Sequence, residues 1–245
     1  MFMEAMGECR LSFEHLDKNY SYIFILQHPE NRIVTPFETP SLVLLKIYKN
    51  EEVVHEKNIY SKEFDDLRML VKTPNKFDYT LWEDVENCHK DLDWVHPGIM
   101  MYAPDGTRSK IRNSKYENIK HLKGNNLKTQ FQYLNLRRMR KISEFLKYYP
   151  EMKESFSKYR NDVHNWTSDL YKYYVDFKIK HAIKNMEIPY EYRPHVFNIH
   201  NMYIREGKKI TFPKVIQYVN DLAPQRIMFA MNYPLREIRT VSSAH

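Results

Sequence analysis

The sequence predicts an α+β chain in which a β-rich part over residues 1–122 precedes an all-helical part over 127–245. Three observations carry this. Short apolar, β-branched and aromatic runs separated by prolines occupy the first part. From about residue 130 the apolar residues recur every three or four positions. Between the two textures lies the breaker Lys123-Gly124-Asn125-Asn126.

The elements follow in order. The opening residues could finish a helix. Residues 20–27 (YSYIFILQ) and 41–48 (SLVLLKIY) read as strands, with Pro29, Pro36 and Pro40 in the loop between them. Residues 53–59 extend this as a third strand. Residues 61–70 and 82–90 read as short helices, with Ser61 and Thr80 as N-caps. Residues 98–104 and 107–112 flank Asp105-Gly106, a hairpin signal. Ser114 caps a helix through His121. Phe131, Leu134, Arg138, Ile142, Phe145 and Leu146 then recur near helical spacing. Pro150 sits at a helix first turn, and Phe156, Tyr159, Val163, Trp166, Leu170, Tyr173 and Phe177 form one long stripe. Trp166 and Tyr173-Tyr174 are expected in the helical core. Further helices fit 193–205, 213–222 and 224–231, and the last dozen residues read as frayed.

Composition narrows the function classes. There is no run of 18 apolar residues, so no membrane span is expected. The opening MFMEAMGECR carries Glu4 and Glu8 and has no apolar core, unlike a secretory signal. Cys9 and Cys88, the only cysteines, suit neither a disulfide framework nor a thiolate zinc site, and a reducing compartment is expected. With 5 glycines and none of the common phosphate-loop, zinc-hydrolase or nucleophile-elbow motifs, those chemistries drop out. His195 and His200 are spaced i, i+5, off-face for a shared metal on a helix.

Charge is uneven. Residues 1–95 hold 11 Lys and Arg against 18 Asp and Glu, whereas Arg108 to Arg160 holds 15 against 4. A basic block interleaved with Tyr and Phe points to a polyanion, nucleic acid first. Two groups of cations stand out. Lys110 and Arg112, at i, i+2, share one face of a strand and could grip phosphate, with Arg108 and Lys115 nearby. Arg137, Arg138, Arg140 and Lys141 lie at one end of a helix, a candidate RNA-backbone contact.

The order of motifs adds a resemblance. Tyr22 to Val34 reads Y-x-F-x-L-x-H-P-x-N-R-I-V. An apolar strand follows from Leu42, then His96-Pro97-Gly98-Ile99-Met100-Met101-Tyr102, the Asp-Gly turn, Ser109-Lys110-Ile111-Arg112 and Tyr116. Over roughly residues 20–122 this resembles the bacteriophage-type ATP-dependent RNA ligases, the lineage that repairs broken tRNA, and related nucleotidyltransferases of large DNA viruses. In that family an FEF strand leads into P-x-N-R-I-V, and an EGYV segment precedes a turn and KIK.

The resemblance implies a partial antiparallel, ATP-grasp-like ligase domain (residues 1–122) and a helical domain (127–245). It implies ATP and Mg2+ as cofactors, RNA as partner, and a cytoplasmic setting, in a host cell or virion if viral. It places Lys110 and, as the counterpart of the second KIK lysine, Arg112 on ATP phosphates.

The departures are specific. The KxDG nucleophile has no counterpart, since Lys18 is followed by Asn-Tyr-Ser. The FEF and EGYV glutamates fall on Phe24 and Pro97. His28, Glu30 and His96 are the nearest substitutes, and Asn31 and Arg32 lie beside them as accessory candidates. No catalytic residue and no metal ligand is assigned. The expectation is a chain inactive in adenylyl transfer alone, completed by an N-terminal ligase half encoded separately. The alternative is a non-catalytic RNA-binding or interaction protein built on the same fold.

Overall fold

The computed structural model describes residues 1–50, 55–103, 107–125 and 128–242, with side chains to Leu235. It is a mixed α+β structure. The chain divides into two compact units, Met1–His121 and Leu122–His245.

The first unit is organised by an antiparallel sheet, β1 (Tyr20–Gln27), β2 (Ser41–Lys49) and β3 (His55–Lys57), in that spatial order. Side chains alternate along β1, as a strand with one covered face requires: Tyr20, Tyr22, Phe24 and Leu26 turn inward, while Ile23 and Ile25 stay open. The inner face packs on α1 (Phe2–Glu8) and α2 (Asp65–Leu70) through Ala5, Met6, Leu42, Leu44, Ile47 and Leu67. β2 is the middle strand and is buried on both faces, so its sequence reads as a nearly continuous apolar run. A register shift between Ile23 and Phe24 leaves Leu45 as the extra residue of β2. Of the expected third strand, 53–59, residues 55–57 form β3, residues 58 and 59 turn out of the sheet, and residues 53 and 54 lie outside the described residues.

Next come α3 (Trp82–Asp91) and a separate hairpin of β4 (Gly98–Tyr102) and β5 (Arg108–Arg112). The expected Asp105-Gly106 turn between them lies outside the described residues. Two expected caps are corrected. Leu81, not Thr80, occupies the N-cap of α3. The helix after the hairpin, α4 (Ser114–Lys123), is capped by Asn113, whose Oδ1 accepts from Lys115 N at 3.0 Å. Asn113 is buried and does more, since its Nδ2 donates to the carbonyls of Asp93 (2.8 Å) and His96 (2.9 Å). An amide can serve both ends, whereas the Ser114 hydroxyl one position on cannot.

The second unit holds α5 (Thr129–Arg138), α6 (Ile142–Tyr148), α7 (Lys153–Tyr174), α8 (Arg193–Glu206), α9 (Phe212–Asp221) and α10 (Pro224–Ser242). The long stripe is realised on α7, where Phe156, Val163, Trp166, Leu170 and Tyr174 are buried. A π-turn, Val175–Ile179, continues it. Phe145, stacked on Tyr149 (4.5 Å) and Phe156 (5.3 Å), ties α6 to α7.

The helical spacing from Phe131 to Leu146 does not form one helix. Arg140 takes φ 58°, and Lys141 N bonds to Leu136 O (2.9 Å) while Arg140 N bonds to Arg137 O (3.1 Å). This is a Schellman stop with arginine in the left-handed position that glycine usually fills. α10 runs well past residue 231, through an internal Pro234, so the expected fray begins too early. Among the described residues no helix is long and apolar enough to cross a membrane.

Candidate functional site

The β4–β5 hairpin has two unlike faces. Cross-strand partners share a face, and the register pairs Tyr102 with Arg108, Met100 with Lys110 and Gly98 with Arg112. The opposite face carries Ile99, Met101 and Ile111, all half-buried. His89 of α3 donates from Nε2 to the Arg112 carbonyl at 3.0 Å, fastening the end of β5.

Gly98 is required here. Its φ is +139°, and a Cβ would lie 2.1 Å from the Ile111 carbonyl oxygen, so no side chain fits without moving the strand.

Arg108, Lys110 and Arg112 are all exposed. None of the three side chains makes a hydrogen bond or ion pair with any described residue. Three cations at i, i+2 and i+4 on one face, none of them bonded to a carboxylate among the described residues, concentrate positive charge there. By contrast the Lys115 ammonium is occupied, donating to the Leu92 carbonyl at 3.0 Å.

It is the Tyr102 end of that face that reaches the sheet. Tyr102 lies over Lys46, with Nζ 4.9 Å from the ring centroid. Lys46 sits mid-strand in β2, nearly fully buried, paired with Glu56, and 5.9 Å from the Tyr48 ring. Its β1 partner is Ile23, so Lys46, Ile23 and Ile25 belong to the sheet face turned away from α1. Sequence reasoning missed Lys46 and Tyr102. The available signal was a single cation inside the run SLVLLKIY, which a middle strand tolerates only when paired.

The positions highlighted by the resemblance fall in different places. Phe24 is half-buried against the hydrophobic core, stacked on Tyr22 (6.3 Å), not on the face bearing Lys46. His28 is buried and fully used. Its Nδ1 accepts from Glu30 N (3.2 Å), which leaves the proton on Nε2 to be donated to Glu4 Oε2 at 2.9 Å. That hydrogen bond from His28 outweighs the opposing effect of desolvation and holds the Glu4 carboxyl below the usual carboxylate range. Glu30 and Asn31 are exposed on the 3-10 turn after β1. Arg32 donates from Nε to the Val34 carbonyl at 3.0 Å, bracing its own loop. His96 is exposed and lines an open depression of about 580 Å3 with Tyr79, Cys88, Asp84, Asp91 and Asp93. There the hydrogen bond to Cys88, followed by burial, raises the Tyr79 hydroxyl. Among the described residues no group of three or more His, Cys, Asp or Glu is placed to hold a metal ion.

The second cation group is dispersed by the α5–α6 turn. Arg137 is half-buried and donates from Nη2 to Asn220 Oδ1 of α9; burial lowers its pKa. Lys141 lies 3.8 Å from Glu144. Arg138 and Arg140 point to solvent. His195, one of the two helical histidines, is buried with Nδ1 2.8 Å from Tyr218 Oη and its ring edge-on to Trp166 (5.1 Å). Burial, then the nearby Arg226 charge, depresses its pKa from 6.5 to about 4.

No protein-family model matches this chain, and no curated protein matches it.

Proposed function

We propose that this chain is an RNA ligase-like nucleotidyltransferase segment that binds nucleotide phosphates and RNA, and that it does not transfer an adenylyl group by itself. One observation carries the reading. Arg108, Lys110 and Arg112 share an open strand face with no described partner. Phosphate oxygens are the ligands such donors bind most strongly, through charge-assisted hydrogen bonds. ATP with Mg2+ is the nucleotide implied by the resemblance, and Lys110 and Arg112 would hold its phosphates. Residues 1–245 hold no KxDG lysine, so adenylyl transfer would need a nucleophile from elsewhere.

A second reading, an RNA-binding protein with no part in adenylyl transfer, is favoured by Phe24. That side chain packs against the core, on the sheet face opposite Lys46, and offers no carboxylate.

Equilibrium binding of labelled ATP–Mg2+ and of a 5′-phosphorylated RNA to the wild type and to the Lys110→Ser/Arg112→Ser double variant tests the proposal. Binding of either ligand that the double variant weakens about tenfold, or about 1.4 kcal/mol, supports it. Absence of binding, or equal binding by the variant, discards it. Label from α-labelled ATP appearing on this chain alone would overturn the need for a nucleophile from elsewhere.

A further inference from the structure

We infer that the cationic face of the hairpin takes a single-stranded polynucleotide, with consecutive phosphates on Arg108, Lys110 and Arg112 and a base stacked on Tyr102. This deepens the phosphate-binding reading and rests on it.

Spacing decides between ligands. An antiparallel strand rises about 3.4 Å per residue, so alternate side chains leave β5 about 6.8 Å apart. The phosphates of an extended sugar–phosphate backbone recur on that scale. Neighbouring phosphorus atoms of a triphosphate share one bridging oxygen and lie much closer together. A triphosphate therefore draws two long side chains inward and leaves the third unused. A polynucleotide engages all three in step. Strand geometry fixes this ruler, and the His89 bond at one end of β5 holds it to α3.

The residues across the hairpin complete the track. Tyr102 stands opposite Arg108 and is 51% exposed. The buried Lys46 ammonium against its ring holds that ring in place. A phenol ring beside a backbone-binding cation is the arrangement by which single strands are held with little base preference. Met100, opposite Lys110, is 49% exposed and adds a polarisable apolar surface. Gly98, opposite Arg112, has no side chain to overhang the third phosphate. A stacked base must leave its own helix, so the geometry favours a single strand over a duplex.

The experiment is fluorescence anisotropy with labelled oligouridylate and oligothymidylate of about ten nucleotides, titrated at several salt concentrations, with ATP–Mg2+ and a duplex as competitors. Single strands release counterions at about 0.7 per phosphate neutralised. Each of Arg108→Ser, Lys110→Ser and Arg112→Ser should flatten the log-affinity against log-salt slope by about 0.7, whatever the rest of the chain contributes. Tyr102→Leu should weaken binding about tenfold and leave the slope unchanged. Equal response of both oligonucleotides is expected, because no described group on the face reads a 2′-hydroxyl. Unchanged thermal midpoints in the exposed-cation variants confirm that the fold is intact.

Three outcomes overturn the inference. If the substitutions weaken ATP–Mg2+ but not the oligonucleotides, phosphate binding stands and the polynucleotide assignment falls. If a duplex competes as well as a single strand, the stacking assignment falls. If no ligand responds to any substitution, both this inference and the phosphate-binding reading fall.

Discussion

The hairpin of the first unit and the α5–α6 turn of the second invite comparison, because each gathers several cations within a few residues. The second unit is far more basic, with 22 Lys and Arg against 11 Asp and Glu, whereas the first has 16 against 20. Yet all three cations of β5 have no described partner, while at the α5–α6 turn Arg137 is bound to Asn220 and Lys141 lies beside Glu144, which leaves only Arg138 and Arg140 of that group exposed without a described partner. Elsewhere in the second unit Lys180 pairs with Asp176 and Lys214 with Glu206. Excess charge in a segment therefore does not locate an anion site. What matters is whether a cation's hydrogen-bonding capacity has already been taken up within the fold.

The comparison is broken most directly at Gly98. Gly98→Ala forces a Cβ against the Ile111 carbonyl and should destabilise the first unit by on the order of 3 kcal/mol, read by urea denaturation, while abolishing binding that depends on Lys110. Retained binding in a folded Gly98→Ala protein would move the site off the hairpin.

In the second unit, His195 represents the polar groups that serve the interior. Its pKa is depressed, so the unfolded chain takes up a proton that the folded chain refuses. Its contribution is complete above pH 6.5 and is lost as pH falls toward about 4. Within that window stability should drop by about 1.4 kcal/mol per pH unit. Denaturation midpoints should show that acid slope, and His195→Gln should flatten it.

Arg137→Ala tests whether an arginine of the RNA-contact candidate is structural. The loss of the Asn220 hydrogen bond and of a half-buried stem should cost about 1–2 kcal/mol, with oligonucleotide affinity changed less than by Lys110→Ser. The reverse ordering would show that the turn, not the strand, is the contact surface.

The smallest effect is expected at Arg140. Arg140→Gly relieves a left-handed arginine and should stabilise the second unit by about 0.5–1 kcal/mol. A loss of RNA affinity at the same time would indicate that the strained backbone is retained to present this guanidinium.

Much of the architecture was legible because it is local. Apolar alternation marks β1, the continuous apolar run marks β2, and the three-and-four spacing of Phe156 to Tyr174 marks α7. These periods record which side of an element is covered. The i, i+2 spacing likewise puts Lys110 and Arg112 on one side of a strand. Local signals misled where chain reversal intervened. The spacing from Phe131 to Leu146 is helical on both sides of Arg140, and without a glycine nothing marked the stop.

The sequence by itself therefore determined the α+β character, the order of the elements and the candidate cations. Only the tertiary structure decided which cations remain available and which groups are withdrawn. His28 meets Glu4 from 24 residues away, and Arg137 meets Asn220 from 83. Phe24 packs against the core, and Ile23 shares a face with Lys46, through a register that includes an extra residue in β2. The physical reason is that hydrogen bonds and burial depend on what a side chain meets in space, and these partners are remote in the chain.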